Sequence, residues 1–458
     1  MTSPARQKGV VAVIGQRMAA AALPPPVSGG RPLVGHGVEF LRDGVRMLER
    51  GYREHGEAFT LLLGREPVPV LVGPEEARWF LHETGHSLSI GEGMDFLKKM
   101  FGPDFYLVAG PEEYQRQLPA TMLPFRGRAA QQRAELMTRH AALFSARLGD
   151  RGTLELTSGF AELVLRTGVE AFLGPGILER LGPYALREFR AFARGLDPVT
   201  PAWLPAPHLL RAHRARDRLR TAAGTLVEER LRHPADPPDI LQELVRLHAE
   251  QGIPARREQL ANRVLSLALG SHNDTASSLA WALADLLRHP AELAAVRDEM
   301  GADPSRTAPV DPDTVRKLCH LHRAVQETMR LHPLPPVLVR RTLRDVEVAG
   351  WVLPRNHRVF ITPLLTHRLP RLFDNPLSYR PGRYLADPKA AQNILTFGGG
   401  VHRCRGEQFA YLDIKITIAH LVRDFDLELL DTDPRPVRKM GRHCLQGPCR
   451  VAYRRRAV

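Results

Sequence analysis

The sequence predicts a mainly α protein with small β-sheets, built as one large domain. Three observations carry that prediction. Apolar residues recur at three- and four-residue steps through most of positions 75–330, the period of an amphipathic helix. Strand-like runs are few and short, confined to a patch near residue 60 and to the region beyond Pro333. The 458-residue chain has 43% hydrophobic and 25% charged residues, an ordinary globular balance with ample material for a core.

Residues 1–30 are rich in Ala, Pro and Gly and carry Pro24-Pro25-Pro26, which reads as a stiff extended lead-in. Residues 31–458 show no repeat and no composition shift that would divide them. Ala58–Leu63 and Val68–Val72 are apolar runs separated by Gly64-Arg65-Glu66-Pro67, a hairpin pattern. Gln131–Leu148 and Arg211–Leu231 read as helices, with Pro/Gly clusters at 199–207 and 234–238 as loops. Glu258–Arg288 is the longest helical stretch, ~45 Å at 1.5 Å per residue. It is apolar on several faces, as expected of a helix through the centre of the protein. Val346–Trp351 and Arg358–Leu364 read as strands, and His367–Tyr384 as an irregular Pro/Arg-rich stretch.

The 64 basic residues exceed the 50 acidic ones by 14. Nearly all are arginine, a bias that fits a GC-rich bacterial genome. The excess suits an acidic protein, nucleic acid or an anionic membrane surface, and arginine is spread along the chain without a nucleic-acid reader motif. Four cysteines exclude a disulfide scaffold and point to a reducing compartment. Cys444 and Cys449 have no second Cys/His pair at zinc spacing. The apolar run Val10–Leu23 is broken by Gln16 and Arg17 and falls short of the ~20 residues that span a bilayer. It has no signal-peptide pattern either, so the expected location is cytoplasmic.

The chemistry concentrates in Phe397-Gly398-Gly399-Gly400-Val401-His402-Arg403-Cys404-Arg405-Gly406. Three glycines let the backbone approach something bulky and leave N–H groups unobstructed. Arg403, Arg405 and the start of a helical pattern at Glu407 all favour a thiolate at Cys404. A glycine-cradled thiolate at a loop-to-helix junction meets the requirement of a cysteine-ligated haem iron. The segment resembles the haem-binding motif F-x-x-G-x-[HR]-x-C-x-G of the cytochrome P450 family, with Phe397, Gly400, His402, Cys404 and Gly406 at its fixed positions. The resemblance runs over nearly the whole chain and implies the cytochrome P450 fold. It also implies haem b with Cys404 as axial ligand, and Gly398 within the cradle.

Further motifs follow in the family's order. Glu327-Thr328-Met329-Arg330 matches its E-x-x-R, a pair on one helical face. Arg383, in Tyr379-Arg380-Pro381-Gly382-Arg383, corresponds to the partner arginine. The resemblance implies a buried Glu327–Arg330–Arg383 network that holds the thiolate loop. It assigns Arg340 and His402 to the haem propionates. The usual third donor, an aromatic-x-x-x-Arg pair, is broken by Leu118, which leaves Arg116 as a weaker counterpart.

The family's distal [AG]-G-x-[DE]-T is altered. Counting sixteen residues back from Pro290, where the family commonly has threonine, lands on Asp274. Gly270 and Ser271 then replace the small pair and Asn273 the acid. The alternative is a one-residue shift that makes Asp274-Thr275 the acid–alcohol pair, but such a shift turns the helix by about 100°. Asp274, Asn273 and Thr275 are therefore the distal candidates for proton handling. Phe96, Leu97, Met100, Phe101, Phe105, Tyr106 and Leu107 fall where the family has its substrate-covering loop.

The resemblance implies an oxidoreductase of the monooxygenase type that acts on a medium-sized, largely apolar small molecule, in a tailoring step of bacterial specialised metabolism. No dinucleotide-binding glycine motif follows a strand, so electrons are expected from a separate ferredoxin or flavodoxin. Two alternatives remain open: a peroxide-driven or non-hydroxylating enzyme, suggested by Asp274, and a non-catalytic relative that activates another enzyme.

Overall fold

The computed structural model describes residues 23–456, except 95, 103–104, 175–176, 183, 197–205, 251–256, 271, 302–309 and 438–442. Ser271 and most of the lead-in lie outside the described residues.

The helices that position the site are α1 (Gly37–His55), α2 (Pro111–Met122), α3 (Gly127–Arg147), α4 (Leu156–Leu173), α5 (Pro207–Arg232), α6 (Arg257–Gly270), α7 (His272–Arg288), α8 (Cys319–Leu331) and α9 (Glu407–Asp424). Strands β1 (Ala58–Leu63), β2 (Glu66–Leu71), β3 (Leu88–Ser89), β4 (Arg151–Glu155), β5 (Leu338–Thr342), β6 (Val346–Val348), β7 (Trp351–Leu353), β8 (Arg358–Ile361), β9 (Phe425–Leu429) and β10 (Arg450–Arg455) form three small sheets. The largest has the order β1-β2-β8-β5-β3, with β2 and β8 parallel and its other pairs antiparallel. The others are β4-β10-β9 and β6-β7.

Apolar content explains the layering. The stretch expected to run from Glu258 to Arg288 is described as α6 and α7, and from Leu279 to Leu286 α7 is buried on every side. It packs against α4, α8 and α9, and these helices share one core. A second core joins α4, α5 and α6. Trp281, 1% exposed, anchors α7 by donating to the carbonyl oxygen of His443 at 3.1 Å and stacking on His332 at 3.7 Å. Glu155 caps α4 by accepting from the backbone N–H groups of Thr157 and Ser158. Burial opposes its charge, but hydrogen bonds from the side chains of Ser158 and Thr157 and the backbone N–H groups of Cys449 and Ser158 outweigh it and hold the carboxyl down at about 2.

The hairpin near residue 60 forms, but β2 starts at Glu66, two residues before the expected Val68, because the turn needs only Gly64 and Arg65. Val346–Trp351 is not one strand. Ala349 and Gly350 both have positive φ, 51° and 78°, and turn the chain back as the β6–β7 hairpin. The strand expected to reach Leu364 stops at Ile361. Pro363 has no N–H for the ladder and opens a short helix, Pro363–Thr366.

Candidate active site

The thiolate loop is set from both ends. Gly398 and Gly400 have φ of 64° and 61°, a region that side chains rarely tolerate. A Cβ at Gly400 would stand 2.7 Å from the carbonyl oxygen of Leu81, so the loop can rest on the helix Pro74–Glu83 only with glycine there. The Cys404 N–H donates to the Phe397 carbonyl at 2.9 Å, closing the loop, and α9 starts three residues on. Tyr114 of α2 donates its hydroxyl to the Val401 carbonyl at 2.6 Å, and Arg405 donates to the same oxygen at 2.7 Å.

Behind the loop lies the carboxylate network. Glu327 and Arg330 are wholly buried and Arg383 nearly so. Glu327 accepts from Arg330 (2.8 and 2.9 Å), Arg383 Nε (2.9 Å), the Arg380 backbone N–H (3.0 Å) and the Tyr384 hydroxyl (2.8 Å). Arg330 and Arg383 also donate to carbonyls of the 367–378 segment. His367 completes the frame. It accepts from the Leu395 N–H at 2.8 Å through Nε2 and donates through Nδ1 to the Arg330 carbonyl at 3.0 Å.

Between this loop and the central helix is a cavity of about 370 Å³. Cys404, Phe397, Gly398, His402 and Gly406 line one side, and Gly270, Asp274, Thr275 and Ser278 the other. Asp274 and Ser278, four residues apart, lie on one stripe of α7, and Gly270 ends α6 on the same side of the cavity. Asn273 is exposed and does not line the cavity, while Thr275, 8% exposed, does. His272 is buried off the cavity, where desolvation pulls it down to about 4.

Two polar groups at the cavity edge are left without anions. Arg340 is 6% exposed, donates only to Thr84 Oγ1 (3.0 Å) and the Val339 carbonyl (2.8 Å), and pairs with no carboxylate among the described residues. Burial pulls its guanidinium down to about 9. His402 Nδ1 is buried with no hydrogen-bond partner, and burial pulls the ring down to about 4. Lone buried donors of this kind are costly unless a partner arrives. The two carboxylates of a porphyrin would meet that need, and a Cβ at Gly398 or Gly270 would touch nothing, leaving room on both faces. The residues therefore fit haem.

Of the arginines expected to favour the thiolate, Arg403 does attract the Cys404 charge, but neither guanidinium is aimed at the sulfur. Arg403 is drawn off by Glu407 (2.7 and 2.9 Å) and Arg405 by Val401. Desolvation dominates and pushes the Cys404 thiol up, opposed by the Gly406 N–H and by Arg133. A bound metal ion would reverse that balance, since it deprotonates a coordinating thiol.

The expected third propionate donor is corrected. Arg116 does not line the cavity; its guanidinium pairs with Glu113 and is 58% exposed. Two helical positions are about 200° apart, so Tyr114, which does line the cavity, turns Arg116 away. The sequence reading missed Tyr114, whose ring lies 4.3 Å from that of His402. It also missed Arg133 of α3, 5% exposed at the cavity wall. Arg133 is caged by Phe125, Phe172 and Phe409 at 5.2, 4.9 and 4.7 Å. The one signal was a charged residue at core spacing among Ala129, Ala134 and Met137.

A cavity-lining cysteine in a glycine loop at the head of α9, a mainly helical fold around it and orphaned donors for two carboxylates are the features expected of a haem-thiolate protein. The family model for Cytochrome P450 matches residues 186–450, and the chain belongs to that family. It is 28% identical to the sterol 14alpha-demethylase of Mycolicibacterium vanbaalenii, over 94% of this chain and 98% of that protein. It is 27% identical to the obtusifoliol 14-alpha demethylase of Sorghum bicolor, over 95% and 91%. Its fold matches that of retinoic acid-bound cyanobacterial CYP120A1 with a TM-score of 0.82 at 21% identity, covering 95% of this chain and all of that one. The family and these relatives make the protein an oxidoreductase of the monooxygenase type. No helix among the described residues is long and apolar enough to cross a membrane.

Proposed function

We propose that the protein holds haem b through Cys404 and oxidises a medium-sized, largely apolar small molecule, using dioxygen and electrons from a separate ferredoxin or flavodoxin. The observation that carries this reading is the single cavity walled by Cys404 on one side and Asp274 and Thr275 on the other. Haem bound there would supply one-electron and dioxygen chemistry, with the thiolate favouring O–O cleavage. His402 and Arg340 would hold its propionates, and the Glu327 network would keep the loop in place. Asp274 and Thr275 would bind and move protons at their carboxyl and hydroxyl oxygens. Ile90, Met94 and Leu107 line the cavity with apolar surface against which a largely apolar molecule would pack.

The sterol demethylases among the relatives suggest a polycyclic or isoprenoid skeleton. The arginine-rich composition suggests a tailoring step in bacterial metabolism in the cytoplasm, and the basic surface suits an acidic electron donor. The test is the spectrum of the reduced, carbon-monoxide-bound protein. Wild type is expected to give a thiolate-type Soret band and Cys404→Ala to lack it; a wild type without haem would overturn the reading. A second reading, peroxide-driven or non-hydroxylating chemistry, is favoured by a carboxylate rather than the usual threonine on the cavity wall. Turnover with peroxide alone, without a ferredoxin, would support it.

A further inference from the structure

A second cavity of about 420 Å³ opens beside the first and shares Tyr106 and Ser266 with it. Its chemistry is different. Lys98, Lys99, Arg116, Arg216, Arg220 and Arg263 face it, against the carboxylates of Glu113 and Glu258. Neighbouring anions neutralise part of this charge: Lys98 pairs with Glu92, Arg116 with Glu113 and Arg216 with Asp217. Arg220 reaches Glu258 only at 3.7 Å, and that carboxylate is 75% exposed. Arg263 and Lys99 pair with no carboxylate among the described residues.

Arg263 is the most telling of these. Its Nη atoms donate to neutral oxygens alone, the Gln117 carbonyl (3.1 Å), Gln117 Oε1 (2.9 Å) and Thr121 Oγ1 (3.4 Å). The Nε atoms of Arg263 and Arg220 are buried with no hydrogen-bond partner. Desolvation pulls Arg263 down to about 10 and lowers Arg220 as well. An anion between them would relieve both, and a guanidinium matches a planar carboxylate in geometry. Arg263 lies two turns of α6 before Gly270, ~10 Å along the axis at 1.5 Å per residue.

We propose that this basic chamber binds the carboxylate of an amphipathic substrate whose apolar body passes Tyr106 and Ser266 into the cavity above Cys404. This rests on the proposed reading of that cavity as the substrate site, and it narrows the substrate from apolar molecules in general to apolar acids. The neutral tail supplies contact area, while the head group fixes how far along α6 the molecule sits and so which carbon faces Asp274.

The test uses the haem-loaded enzyme with cis-parinaric acid and its methyl ester, followed by their own fluorescence at low salt and pH 8. The acid is expected to bind at least tenfold more tightly than the ester. Arg220→Gln and Arg263→Gln should each weaken the acid several-fold and leave the ester unchanged, and the double variant should bind both alike. Arg220 donates to the Met100 carbonyl (3.2 Å) and takes no part in the Gln117 anchor, so its variant stays informative if Arg263→Gln disturbs that anchor. Equal binding of acid and ester by wild type overturns the anion site and spares the apolar cavity reading. Exclusion of both probes overturns the two together.

Discussion

At the scale of single residues, Arg340 and Asp274 carry the sharpest expectations. Arg340 is a buried cation without a counter-anion, so its link to a carboxylate would be strong and its loss costly. Arg340→Leu should release haem to an acceptor such as apomyoglobin at least ~10-fold faster than wild type, a measure that needs no turnover. Release at the wild-type rate would mean that Arg340 serves only Thr84 and the strand. Asp274 stands on the stripe that faces the cavity, and a positioned proton donor is worth about 10²–10⁴ in rate. Asp274→Asn keeps shape and polarity but removes the carboxyl. Its ferredoxin-driven turnover should drop by about 10² while substrate binding stays within a factor of two, with Asp274→Thr recovering part of the loss. The cysteine loop could be picked out from its own residue types, whereas Arg340 and the E-x-x-R pair stood out only through the family resemblance. The structure puts Arg340 at the cavity edge and buries Glu327 with Arg330. Tyr114 and Arg133 were not legible, since their roles depend on which face of α2 and α3 tertiary packing turns inward. The strength of the Arg403 and Arg405 effect was overestimated for a related reason, although Arg403 still attracts the Cys404 charge. Sequence proximity places charge near Cys404, but Glu407 and Val401 decide where the guanidinium groups go.

At the scale of elements, the junction of α8 with the 367–384 segment acts as one unit. Five donors converge on one carboxylate that has no exposure to water, so removing it strands two guanidinium groups in the interior. Glu327→Ala should lose about 3–5 kcal/mol of stability by denaturant titration, against less for Glu327→Gln, which keeps one acceptor. A loss below ~1 kcal/mol in both would show that water replaces the carboxylate readily. Boundaries of other elements were harder to read than their existence. The β6–β7 hairpin turns on Ala349 in a left-handed conformation, which the sequence does not signal as Asn or Asp would. The end of β8 was signalled, by Pro363, but apolar continuity through Leu364 hid it.

For the whole molecule, burial of neutral histidines sets the acid limit of the fold. His272, His367 and His420 are 3%, 0% and 1% exposed, and desolvation pulls them down to about 4, about 3 and about 4. In the unfolded chain each takes a proton near 6.5. Because the unfolded state protonates first, stability falls as pH drops below about 6.5 and goes on falling until the folded values are reached. At pH 5 each histidine costs about 2 kcal/mol. Asp413 works in the opposite direction: burial pushes it up to about 6, so the folded state protonates first and regains about 1 kcal/mol at the same pH. The histidines win. The melting temperature of the haem-loaded protein should fall steeply between pH 6.5 and 4.5, with net proton uptake on unfolding by calorimetry in buffers of different ionisation enthalpy. Release of haem should accompany the fall. His367 must stay neutral at Nε2 to accept from Leu395, two residues before Phe397, and a proton there would break the link between α8 and the thiolate loop. His367→Asn should therefore flatten the curve by about one proton while lowering stability at neutral pH. A melting temperature that stayed level from pH 6.5 to 4.5 would mean that the three rings gain protons inside the folded molecule, against the cost that their burial imposes.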